Sequence, residues 1–181
     1  MLLRDATLQD SAAVARILVD TWRQAYADIM PSDFLAGLSY QAREKRIREG
    51  FLASDLNRFM VVSEENSVLV GCMVGGACRD ESEKEYHGEV YTLYVLPGHQ
   101  SKGIGMAIVR AGVERLLAMG YNTMLIWVLS KNPARGFYEA LGAGWPENGK
   151  WKLTAGCTRV RLWLGGFAEP GEGSNRWKAG I

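Results

Sequence analysis

The segment Tyr91-Thr-Leu-Tyr-Val-Leu-Pro-Gly-His-Gln-Ser-Lys-Gly-Ile-Gly105 runs directly into Met106-Ala-Ile-Val-Arg-Ala-Gly-Val-Glu-Arg-Leu-Leu-Ala118. A β-rich stretch stops at Pro97, a short loop carries Lys102, Gly103 and Gly105, and a run of helix formers follows. A strand, loop and helix in that order make a cradle for an anion. Glycines free the backbone to turn N–H groups inward, the helix N-terminus adds its dipole, and a lysine adds a full charge. The favoured guest is a phosphate or pyrophosphate, so the chain is expected to hold a phosphorylated cofactor.

The loop lacks G-x-x-x-x-G-K-[ST], which argues against a nucleoside triphosphatase. Its glycines are not spaced G-x-G-x-x-G and no second βα unit repeats the pattern, which argues against dinucleotide binding. What remains, Gln100-Ser-Lys-Gly-Ile-Gly105, resembles the acyl-CoA pyrophosphate loop of the GNAT superfamily of N-acetyltransferases. Asn132-Pro-Ala-Arg-Gly-Phe-Tyr-Glu-Ala-Leu-Gly142 resembles the second signature of that family, and Leu3-Arg-Asp-Ala-Thr-Leu-Gln-Asp10 reads like its first strand and helix entry. The resemblance covers about residues 2 to 165.

Composition narrows the rest. With 181 residues, 48% hydrophobic and 23% charged, the chain suits one globular domain with a sizeable core. A net charge of +1 recruits neither nucleic acid nor anionic lipid. No apolar run approaches the roughly 20 residues of a membrane span, and Met-Leu-Leu-Arg-Asp carries no secretion signal. Cys72, Cys78 and Cys157 have no metal spacing and cannot all pair, which fits a reducing cytoplasm. His87 and His99 are too few and too separated for a zinc site, so no metal is expected.

Periodicity supplies the elements. Leu2 to Asp5 reads as a strand and Thr7-Leu-Gln-Asp10 has capping-box form. Val14, Ile17, Leu18, Trp22 and Ala25 follow at helical spacing, giving an amphipathic helix over 8–27. A polar helical region runs from Pro31 to about Leu52. Strands at 59–63 and 68–78 form a hairpin about Glu64-Glu-Asn-Ser67. A charged loop (79–87), a strand (89–95), a mostly buried helix (104–119), a strand (123–129), a helix (133–141) and strands near 150–154 and 158–164 complete the order. The fold class is α/β (α+β), a single GNAT-like domain over 1–167 with a mixed central sheet of about six to seven strands and about four helices. The breaker-rich segment 168–181 is expected to be a mobile tail.

Each candidate residue has a plain structural reading beside a functional one. Gly103 and Gly105 serve either a turn needing positive φ or the approach of backbone to pyrophosphate. The resemblance implies that backbone from Gln100 through Ser101, Lys102, Gly103 and Ile104 to Gly105 grips the diphosphate of acetyl-CoA. It further implies a bulge that opens the sheet beside Leu93, Tyr94 and Val95, where main-chain groups of Leu93 and Val95 pair with pantetheine amides. The Val95 N–H is then also an oxyanion donor.

Asn132 before Pro133 is a good helix start in its own right, and the resemblance adds a cofactor contact. Tyr138 is an amphipathic residue beside the core face of Ala134, Phe137 and Leu141. By resemblance its phenol protonates the departing thiolate, a pKa near 10 serving one near 8.5. Glu89 is a solvated strand-end carboxylate or, as the resemblance implies, the general base acting directly or through water. Strand alternation places it on one face with Leu93 and Val95, with His87 in reserve. Trp22 and Tyr26 are core aromatics that the family uses to wall the acceptor pocket, and the acidic loop 80–85 is either solvated or attracts a cationic amine.

The implied activity is transfer of acetyl from acetyl-CoA to a primary amine of a small molecule or peptide, by direct attack in a ternary complex. A covalent route through a cysteine is weaker, since none lies in either signature. The alternative from another class is a non-catalytic acyl-CoA-binding sensor or scaffold. A homodimer stays open, dimers being common in the family.

Overall fold

A computed structural model describes residues 1–53, 55–81, 83–84, 86–128, 132–141, 150–153 and 158–161. The strands are β1 (Leu2–Asp5), β2 (Arg58–Glu65), β3 (Val68–Ala77), β4 (Gly88–Val95), β5 (Met124–Ile126), β6 (Lys150–Leu153) and β7 (Thr158–Arg161). The helices are α1 (Ser11–Ala25), α2 (Ser32–Ala36), α3 (Tyr40–Leu52), α4 (Ile104–Ala118) and α5 (Arg135–Leu141). β1 to β5 form one sheet in sequence order, antiparallel except for the parallel β4–β5 pair.

The sheet has a layer on each face, and β3 shows why. Its sequence VLVGCMVGGA is apolar almost throughout and buried almost throughout, as a strand covered on both faces must be. Leu69 and Cys72 pack with Val62 against Val14, Ile17 and Leu18 of α1. Val70 and Met73 pack with Val90 and Val95 against Ile104, Ile108 and Leu116 of α4. In α4 only Arg110, Glu114, Leu117 and Ala118 are exposed, so the expected buried helix is present.

Two expectations are refined. Among the described residues the hydrogen-bonded sheet has five strands, and β6 with β7 forms an antiparallel pair whose β7 lies against β5. Strand pairing joins residues far apart in sequence, and periodicity within each strand does not say which sheet it enters. The polar helical region is two helices, because the chain breaks at Gly37 and restarts at Ser39, whose Oγ accepts the Ala42 N–H at 3.2 Å. The charged loop, the hairpin and the β1-to-α1 entry lie where expected, whereas the 168–181 segment and Cys157 lie outside the described residues. Among the described residues no helix is long and apolar enough to cross a membrane.

The helix entry carries its own electrostatic lock. The Asp10 carboxylate accepts the Thr7 N–H at 2.7 Å and the Arg4 guanidinium at 2.7 and 2.9 Å. Arg4, then the Thr7 donors, hold its pKa down at about 2 against the ordinary 3.8. A depressed carboxylate stabilises the fold above its unfolded pKa and loses that contribution as pH falls through the folded value. Urea unfolding of Asp10→Asn should therefore show a loss of up to about 2 kcal/mol at pH 7, and the native protein should lose a similar amount between about pH 4 and pH 2.

Candidate active site

The loop after β4 begins with a 3-10 turn, Pro97–His99, and ends at the first residue of α4. The Gln100 N–H donates to Pro97 O at 3.2 Å, so Gln100 is not part of the open set. From Ser101 to Met106, no backbone N–H donates to a carbonyl among the described residues, and the first amide bonded back is Ala107, to Gly103 O at 3.0 Å. Ser101 (φ 59) and Gly103 (φ 81) both occupy the left-handed region, and such alternation turns successive N–H groups to one side. Helix α4 adds the positive end of its dipole.

The two glycines do different work. Gly103 needs its positive φ, and a Cβ there would meet nothing. Gly105 is helical, contrary to a turn requirement, and a Cβ there would come within 3.3 Å of the Phe137 ring. Gly105 therefore lets α5 sit against the start of α4. Lys102 Nζ donates to Gly98 O at 2.8 Å while the side chain stays exposed, and His99 Nδ1 lies 2.9 Å from Glu65 Oε2, tying the loop to β2.

The strand beside this loop is irregular where the sequence was silent. Val74 pairs with Thr92 but Gly75 pairs with Val90, so Tyr91 is an extra residue in β4, a β-bulge. β5 pairs only with Gly88, Glu89 and Val90, and from Tyr91 onward β4 has no partner on that side among the described residues. Leu96 N–H donates to Val70 O at 2.8 Å. In an antiparallel ladder alternate residues face the same neighbour, so Tyr94 and Thr92 bond towards β3. Leu93 and Val95 turn their main-chain groups towards the β5 side, where no described residue pairs with them. The Val95 carbonyl accepts Gln100 Nε2 at 2.9 Å, leaving its N–H for a ligand.

The same bulge corrects the placement of Glu89. Val90, Leu93 and Val95 pack into one cluster on the α4 face, so Glu89 points to the other face, not with Leu93 and Val95. It is 2% exposed and held by Arg79, whose backbone N–H (2.9 Å) and Nε (3.2 Å) donate to Oε2 and whose Nη2 donates to Oε1 at 2.7 Å. The guanidinium also stacks 3.9 Å from the Tyr91 ring centroid. Sequence reasoning missed Arg79. Its signal was a buried-strand carboxylate that demanded a partner. His87 is exposed at the strand entrance, its N–H bonded to Thr123 Oγ1 at 2.9 Å.

The remaining candidates meet in one buried network. Trp22 and Tyr26, 6% and 9% exposed, are core by area and lie edge to face at 4.9 Å between centroids. Trp22 Nε1 donates to Tyr94 Oη at 2.7 Å, and Asn132 Nδ2 lies 3.4 Å from Tyr26 Oη. Asn132 Oδ1 accepts the Ala134 N–H at 2.9 Å, so it caps α5 as its type suggests. Tyr138 is 8% exposed, and burial first, then Tyr26, pushes its phenol well above the ordinary range. Burial likewise raises Tyr26 and Tyr94. These phenols are neutral donors at any physiological pH. Burial pushes the Cys72 thiol up to about 12 and also raises Cys78, which argues against a thiolate acyl carrier.

A sequence profile of the Acetyltransferase (GNAT) family matches residues 14–143. The chain is 32% identical over 165 residues to the uncharacterized N-acetyltransferase YuaI of Bacillus subtilis, covering 80% of this chain and 92% of that one. A shorter stretch of 67 residues is 37% identical to the mycothiol acetyltransferase of Corynebacterium urealyticum, 36% of this chain and 20% of that one. Among solved structures, the PaiA N-acetyltransferase of Thermoplasma acidophilum in complex with coenzyme A superposes with a TM-score of 0.68 at 16% identity, over 81% of this chain and 91% of that one. The ribosomal-protein-alanine N-acetyltransferase of Brucella melitensis gives 0.56 at 18% identity, over 79% and 91%. The chain belongs to the GNAT family of acetyltransferases. It is an enzyme of that class, with acetyl-CoA as its acetyl donor.

Proposed function

We propose that this acetyltransferase moves the acetyl group directly onto a primary amine of a small molecule or peptide, both reactants being bound together. The observation that carries the reading is the row of amides from Ser101 to Met106, bonded to no carbonyl among the described residues, beside a strand edge that no described residue pairs with beyond Val90. The diphosphate rests on those amides, the pantetheine arm lies along Leu93 and Val95, and the thioester reaches Tyr138. The amine nitrogen attacks the carbonyl carbon while the Val95 N–H donates to the developing oxyanion. Collapse breaks the carbon–sulfur bond, and the Tyr138 phenol gives its proton to the thiolate. Its raised pKa keeps that proton in place until then. Trp22 and Tyr26 wall the acceptor side.

Glu89 takes the proton released by the attacking nitrogen through water, and the Tyr138 phenolate regains its proton from solvent as the products leave. Two donors occupy Oε2 and one occupies Oε1, which leaves one acceptor position on Oε1. Since an alkylammonium has a pKa near 10.4, kcat/KM for the amine should rise with pH through the neutral range. Glu89→Gln should lower kcat by only about tenfold, beneath the hundredfold or more of a direct base, and steady-state rates measured from pH 6 to 9 check both. The reading itself is tested by thiol release from acetyl-CoA over an amine panel. Release that depends on an amine supports it, and tight coenzyme A binding with no release for any amine favours a binding module.

A further inference from the structure

Arg43 is the one buried residue among those described in α3, 8% exposed on a helix that otherwise shows its side chains to solvent. Its backbone N–H closes the first turn on Ser39 O at 3.1 Å. Its guanidinium makes no hydrogen bond or ion pair with any described residue. The nearby acids on this side are taken: Asp20 accepts the Tyr40 hydroxyl at 2.5 Å, and Glu44 faces Arg48 at 4.0 Å. A guanidinium withdrawn from water without a counter-ion is costly, and an anion that paired with it would offset that cost.

Its position says which anion. Ile47, one turn along the same stripe of α3, packs into the cluster of Val14, Ile17, Leu18 and Cys72 that Tyr94 also joins. Burial lowers the Arg43 pKa, and the Tyr94 phenol is the influence opposing it, so the two groups sense each other. Tyr94 is also the group to which Trp22 donates. Arg43 thus brings one fixed positive charge towards the buried pair of Tyr94 and Trp22. One planar guanidinium matches a carboxylate, which takes two parallel N–H bonds from it.

We propose that Arg43 binds a carboxylate of the acceptor, so that the amine acetylated here belongs to an amino acid or a similar amino-carboxylate. This rests on the transferase reading and narrows its substrate class.

The test compares three amines with their amino acids: phenethylamine and phenylalanine, tryptamine and tryptophan, putrescine and ornithine. Rates are measured by thiol release, and binding by titration calorimetry in the presence of coenzyme A. The native enzyme should prefer at least one amino acid over its decarboxylated partner by about tenfold or more in kcat/KM, the size of a charge-assisted contact. Arg43→Met should erase that preference by raising KM for the amino acid alone, leaving turnover of the simple amine and coenzyme A affinity unchanged and the melting temperature no lower. Arg43→Gln should do the same and guards against a folding defect in the first variant. Equal use of both members of every pair, with amines still acetylated, overturns this inference and spares the transferase reading. So does a stronger response to the aminophosphonate analogue than to the carboxylate. If no amine is turned over, the transferase reading fails. Calorimetric binding of the amino acid but not the amine, lost in Arg43→Met, then still supports the carboxylate site, and its absence overturns it.

Discussion

Tyr138→Phe should lower kcat by about a hundredfold or more, the size of a lost general acid, while leaving the dissociation constant of coenzyme A nearly unchanged. The ring of Phe fills the same space and keeps the packing with Phe137, whose centroid lies 5.2 Å away. No described residue accepts the Tyr138 hydroxyl, so its removal strands no donor in the resting protein. The pH profile separates catalysis from structure. Because burial raises the phenol above its ordinary value, the native enzyme should keep its rate well into the alkaline range. The variant should become dependent on the departing thiol, with acyl donors of more acidic thiols losing less rate. Equal losses for all thiols would assign Tyr138 a packing role.

Gly103→Val should weaken coenzyme A binding by about ten- to a hundredfold, with smaller change in the rate at saturation. Holding a branched residue at φ 81 costs on the order of 1–3 kcal/mol, and each 1.4 kcal/mol is tenfold in affinity. Open space around the position means that no clash adds to this. The loop is free to relieve the strain by turning its amides away from the diphosphate. Gly103→Asn, which tolerates the left-handed region, should lose much less. Binding measured by calorimetry for the pair distinguishes a backbone effect from general damage, which would harm both alike.

The strand–loop–helix unit was legible because glycine and proline punctuate it and because α4 repeats its apolar residues at helical spacing. The capping box at Thr7 and Asp10 and the start of α5 at Asn132 were legible for a similar reason, being local hydrogen-bond chemistry. The bulge at Tyr91 was expected only through family resemblance, since an extra residue in a strand leaves no trace in composition. That one residue reversed the face of Glu89 relative to Leu93 and Val95. The partners Arg79 and Arg43 come from segments read as a charged loop and a polar helix. Ser39 offered a readable helix start, and Arg43, four residues before Ile47, shares a stripe with an apolar position. The division of the strands into two sheets depended on contacts between distant segments, which no local pattern encodes.

The measurement that bears most directly on the account is a crystal structure of the protein with coenzyme A bound. The account predicts diphosphate oxygens within hydrogen-bond distance of N–H groups between Ser101 and Met106, with a pantetheine amide on the Val95 N–H and the sulfur beside the Tyr138 hydroxyl. A diphosphate held elsewhere, or β5 pairing along β4 as far as Val95 so that no edge is left for the pantetheine, would contradict it.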